Sequence, residues 1–108
     1  MNSIDQELIE AVEENNLPAV RRLLSVGADV NTKDSRDDTP LHWACIEADV
    51  HVVKECLEYG ADIEAKDDDG FTPLHLACAH YNLAVIIELL GHGADVEAKN
   101  NAGETPLY

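Results

Sequence analysis

Two short patterns in the chain have spacings that could do chemistry. His42-x-x-Cys45 and His75-x-x-Cys78 put an imidazole and a thiol three residues apart, on one side of a helix. Together they could supply the two His and two Cys of a tetrahedral zinc site, with ligands ~2.0–2.3 Å from the metal. Either pair could instead be a nucleophile and its base. A reactive thiol needs an electropositive, partly open setting, whereas Cys45 and Cys78 fall at apolar, core-facing positions of an acidic chain, and Val12 takes the equivalent place earlier in the sequence. Asp67-Asp68-Asp69-Gly70 has the look of a calcium loop, but lacks the alternating ligands and the distant Glu of an EF-hand. A solvated turn is the simpler reading. The glycines are spaced far apart and build no phosphate loop. The sequence therefore predicts no catalytic residue, no metal and no cofactor.

The elements that carry these residues are repeats. Gly27-Ala28-Asp29-Val30 recurs as Gly60-Ala61-Asp62-Ile63 and as Gly93-Ala94-Asp95-Val96, each step being 33 residues. Thr39-Pro40-Leu41-His42 recurs as Thr72-Pro73-Leu74-His75, and Thr105-Pro106-Leu107 opens a third copy. Residues 27–59 and 60–92 align without gaps at 14 identities in 33 positions. A period of this length marks a stacked array in which no unit can bury its own apolar face.

Local chemistry sets the elements. Thr39 and Thr72 can cap helices, and the Pro after each suits the first helical position. Leu41, Ala44 and Cys45 then share one face of a helix over 40–47, and Leu74, Ala77 and Cys78 one over 73–80. Val50, Val53, Cys56 and Leu57 predict a second helix over 50–58. Leu83, Ile86, Leu89 and Leu90 predict another over 83–91. Gly60 and Gly93 end them. Extended fingers follow at 28–38 and 61–71.

The first 26 residues read as a degenerate unit. Leu8, Ala11, Val20, Leu23 and Leu24 sit 33 places before Leu41, Ala44, Val53, Cys56 and Leu57. Ser3 and Gln6 offer a capping box. Glu7, Glu10, Glu13 and Glu14 keep the outer face polar, as a terminal cap requires.

The period and the Thr-Pro-Leu-His-x-Ala words, at Thr39–Ala44 and Thr72–Ala77, resemble the ankyrin repeats. The resemblance implies an all-α solenoid of stacked helix pairs with projecting β-turn fingers: a capping repeat over 1–26, full repeats over 27–59 and 60–92, and a finger with a truncated repeat over 93–108. It implies that His42 and His75 tie turns together by hydrogen bonds. Ala48 and Tyr81 depart from it, standing where such repeats usually place Gly, as Asp37 does where Gly70 and Gly103 stand in the other fingers.

It also implies a function: a module that binds another protein in a concave groove of finger tips and first helices. The corresponding contact positions here are Lys33, Ser35, Arg36, Asp38, Ile46 and Glu47; then Lys66, Asp68, Asp69, Phe71, Ala79 and His80; then Lys99, Asn101, Ala102 and Glu104. Trp43 lies beside the first strip. The alternative is a spacer or assembly segment of a larger protein.

Charge narrows the partner. Twenty-two acidic residues against seven basic ones give a formal net charge of −15. Such a surface repels phosphate backbones and anionic lipid and suits a partner with a basic and apolar patch. No apolar run is long enough to span a bilayer. Three unpatterned cysteines fit a reducing cytosol or nucleus. The chain stops one residue past Thr-Pro-Leu, so an apolar face on Leu74, Ala77, Ile86, Leu89 and Leu90 is expected to lie open, residues 104–108 to fray, and the chain to self-associate weakly through that end.

Overall fold

The computed structural model describes residues 3–47 and 49–107. Six helices follow one another: α1 (Ser3–Glu13), α2 (Leu17–Ser25), α3 (Pro40–Glu47), α4 (Val50–Glu58), α5 (Pro73–Ala79) and α6 (Leu83–Gly91). Among the described residues there is no strand. Helices α1, α3 and α5 stack side by side in one layer, and α2, α4 and α6 stack in a second against it.

The core repeats with the sequence. Leu8, Leu41 and Leu74 occupy one buried column, and Ala11, Ala44 and Ala77 another. The small alanines let neighbouring first helices approach closely. Val20 and Val53, and Leu23, Cys56 and Leu89, fill the space between layers. The second helices also bury Val52 and Val85, which periodicity had not singled out.

Each second helix starts on an amide or carboxylate cap. Asn16, Asp49 and Asn82, 33 residues apart, accept from the amides of Ala19, His51 and Val85. Each ends in the same glycine motif, with Ala28, Ala61 and Ala94 donating to the carbonyls of Leu23, Cys56 and Leu89. The expected capping box is different: Ser3 is already helical, and Gln6 reaches forward to Glu10 at 3.3 Å.

Between the two helices of a pair, Asn15 and Tyr81 both adopt positive φ, at 55°. Ala48, the corresponding residue of the middle pair, lies outside the described residues. Tyr81 is 89% exposed, so no packing offsets the strain its Cβ meets there.

The open end differs from expectation. Leu74, Ala77 and Leu89 are fully buried against the preceding pair, because they point back along the stack. Leu83, Ile87 and Leu90 share the opposite face of α6 and are exposed, with Ile86 half-buried beside them. Ile87 also ends a ladder of ion pairs. Its counterparts Arg21 and Lys54 reach Glu55 and Glu88 of the following repeat, at 3.0 and 3.9 Å. Residues 104–107 form no helix, although Pro106 is buried. Tyr108 lies outside the described residues.

Candidate functional site

Each finger tip is a closed turn built on one polar residue. The carboxylate of Asp34 accepts from the amides of Arg36 and Asp38, at 2.9 and 3.0 Å. Asp67 does the same for Asp69 and Phe71, and Asn100 for Ala102 and Glu104. A backbone bond then shuts each loop, as from Asp67 N–H to the Phe71 carbonyl. These three residues, and the helix caps above, are positioning residues that motif reading missed. Their signal was available in the sequence, as Asp or Asn recurring every 33 residues.

The left-handed residue of each turn is Asp37, Gly70 or Gly103. Gly70 has a second reason to be glycine. A Cβ there would run into the Asn101 side chain and come within 2.7 Å of its backbone nitrogen.

Fingers are also tied to one another. Asp68 N–H donates to the Arg36 carbonyl and Asn101 N–H to the Asp69 carbonyl, both at 3.0 Å. Below the tips, His42 connects one turn to the next. Thr39 N–H donates to its Nδ1 at 3.1 Å, so Nδ1 is the acceptor and Nε2 carries the proton, which goes to the Phe71 carbonyl at 2.8 Å. His75 repeats this with Thr72 and the Glu104 carbonyl. Burial lowers the His42 pKa, in keeping with a neutral ring. Both nitrogens being engaged, neither lone pair is available to a metal or a thiol.

The cysteines follow the core. Cys45 and Cys56 are buried, and burial raises both thiols, Cys56 to about 12. Cys78 departs from the expected core position, being only partly covered. It lines a cavity of about 380 Å³ with Phe71, Tyr81, Ile86 and Leu107, between α5, α6 and the third finger. Nothing packs over it as α5 packs over Cys45.

Most of the residues expected to make contacts face solvent along the fingers and α3 and α5. Lys33, Ser35, Arg36, Lys66, Asp68, Asp69, Lys99, Asn101 and Ala102 are exposed on the fingers. Glu47, Ala79 and His80 are exposed at the ends of first helices, and Ile46, Phe71 and Glu104 are partly so. Arg36 and Asp69 face each other across two tips at 3.8 Å. Trp43 is half-buried, and its indole N–H donates to Asp34 at 2.9 Å. Phe71 tilts over the His75 ring, centroids 5.7 Å apart.

Asp38 is the exception. Only 7% of it is exposed, so its carboxyl is not presented to a partner. The first finger folds it inward against Asp67, in the slot that Phe71 fills one repeat later.

A sequence profile of ankyrin repeats, in three copies, matches residues 8–100. No curated protein matches the chain.

Proposed function

The chain belongs to the ankyrin-repeat family, and on that premise we propose that it binds one partner protein in the groove formed by its finger tips and the exposed edges of α3 and α5. Ankyrin repeats are generally protein–protein interaction modules and are typically non-enzymatic. The observation that carries the reading is the combination of a rigid backbone and variable tips. Every finger is locked to its neighbour by main-chain bonds, while the side chains at its apex are free to be read.

The partner's chemistry follows from the charge. Asp68 and Asp69 crown the second finger beside half-exposed Phe71, on a chain with a formal net charge of −15. A basic rim around an apolar patch complements this surface: the acids steer association and the ring supplies an anchor. Partner binding inside a cell remains part of this proposal, as does the division into a capping repeat over 1–26, repeats over 27–59 and 60–92, and a finger over 93–108. No helix among the described residues is long and apolar enough to cross a membrane.

Affinity capture compares the wild-type chain with two groove variants and an α4 control, Glu58→Lys. Phe71→Ala weakens binding of the captured protein by ~2 kcal/mol or more. Asp68→Lys with Asp69→Lys mainly lowers the association rate. A captured protein lost from Glu58→Lys but kept by both groove variants contradicts the proposal.

A second reading, an assembly segment, is favoured by the exposed Leu83, Ile87, Leu90 and Leu107. Through this face the chain associates weakly with a second copy, in addition to its groove function.

A further inference from the structure

Between the first and second fingers, the carboxyl oxygens of Asp38 and Asp67 and a ring nitrogen of His42 lie within 4.8 Å of one another. Asp38 is buried and hydrogen-bonded to Asp67. Its Oδ1 atom is shut off from solvent and has no hydrogen-bond partner. Two carboxylates cannot both stay ionised at such a distance in a site without a cation between them. The charged groups that bear on the pair are Asp34 and Arg36 of the first finger, Asp67 of the second, and His42 of α3 with Lys33 near it. His42 offers no compensating charge, since its ring is neutral. Arg36 points its guanidinium at Asp69.

We propose that Asp38 and Asp67 share a single proton which clasps the first finger to the second, making the groove between them a pH-responsive element of the domain. The proton resides on Asp38. Asp67 Oδ1 already accepts the amides of Asp69 and Phe71, and a carboxylate holding two N–H bonds is the better acceptor. The unpartnered Oδ1 of Asp38 is then a carbonyl oxygen, far cheaper to bury than half of an anion. The sequence agrees: the equivalent residue in the next repeat is the apolar Phe71, which also lies against its histidine, so the slot is suited to an uncharged group.

Burial, the Asp67 bond and the charges of Asp67 and Asp34 push the Asp38 pKa up to about 7. The folded value lies above the ordinary 3.8. The clasp is therefore complete below about pH 4 and is lost as the pH rises through about 7. His42 has the opposite sign, its folded pKa being lowered, so it costs stability as the pH falls. Wild-type and variant must be compared at each pH to cancel it.

The test is an NMR titration of the Asp38 side-chain carboxyl carbon in the intact chain. A midpoint near 7 is expected, and one in the ordinary carboxylate range overturns the proposal. Asp67→Asn is the decisive variant, because Asn100 shows that an asparagine builds the same turn through its Oδ1. In Asp67→Asn the Asp38 midpoint falls by at least about one pH unit, the carboxylate neighbour being gone; an unchanged midpoint overturns the shared proton. Asp38→Asn mimics the protonated acid without titrating. Its melting temperature matches wild type at pH 5.5 and exceeds it at pH 8.5, whereas a difference constant with pH refutes the clasp. Should Asp38→Asn not fold, the two NMR titrations still decide.

Discussion

Replacing His42 by alanine tests how the repeats are joined. The ring is fully buried and does two things: it accepts from Thr39 N–H and donates to the Phe71 carbonyl 29 residues away. Alanine strands both groups in the interior between α3, α5 and the second finger. Each orphaned buried group costs about 1–3 kcal/mol, so His42→Ala is expected to destabilise by about 3–5 kcal/mol. His75→Ala makes the same local change one repeat later. There the long-range partner is the carbonyl of Glu104, on the last finger, which can move aside and take water. Only the Thr72 amide is stranded, and the loss is about 1–3 kcal/mol. Urea unfolding of both variants, at a common pH above the histidine range, measures the difference through the midpoint at constant m-value. A His42→Ala variant within ~1 kcal/mol of wild type, or one less damaging than His75→Ala, would refute the claim that these rings couple neighbouring repeats.

The cysteines separate core from edge: a thiol reagent in buffer should modify Cys78 quickly and Cys45 and Cys56 only on unfolding, and fast loss of Cys45 would show its face to be open. Tyr81→Gly relieves an exposed left-handed residue and should raise stability by about 0.5–1 kcal/mol; a destabilised variant would mean that Tyr81 packs in solution. Gly70→Ala adds both left-handed strain and a collision with Asn101 and should cost ~2 kcal/mol or more, read by thermal unfolding, and a neutral result would show the second and third fingers to be separable. Sedimentation of the chain at high concentration should reveal association that Leu83→Lys with Ile87→Lys abolishes; a strictly monomeric wild type removes the assembly reading.

The repeat words made the architecture legible. The bounds of α3, α4 and α6 follow from Thr-Pro openings, apolar spacing and terminal glycines, because each of these signals acts within one turn of helix. What stayed hidden depends on neighbours in space. Val52 and Val85 are buried because the other layer covers them, which a single helix's periodicity cannot show. Leu74, Ala77 and Leu89 face backward along the stack rather than toward its open end, a matter of rotation about the axis. Asp38 occupies a position that the family resemblance assigns to contact, yet the second finger's carboxylate and the neutral His42 ring let it turn inward. Asp34, Asp67 and Asn100 were readable as turn builders, but their chemistry is short and polar and drew less notice than the His–Cys pairs.

The central claim, that the fingers and first helices form the binding face, is met most directly by amide hydrogen exchange of the captured complex against the free chain. Protection is predicted in the finger tips at 33–38, 66–71 and 99–104 and at the C-terminal ends of α3 and α5. Protection confined to α2, α4 and α6, with the finger amides exchanging as they do in the free chain, would contradict it.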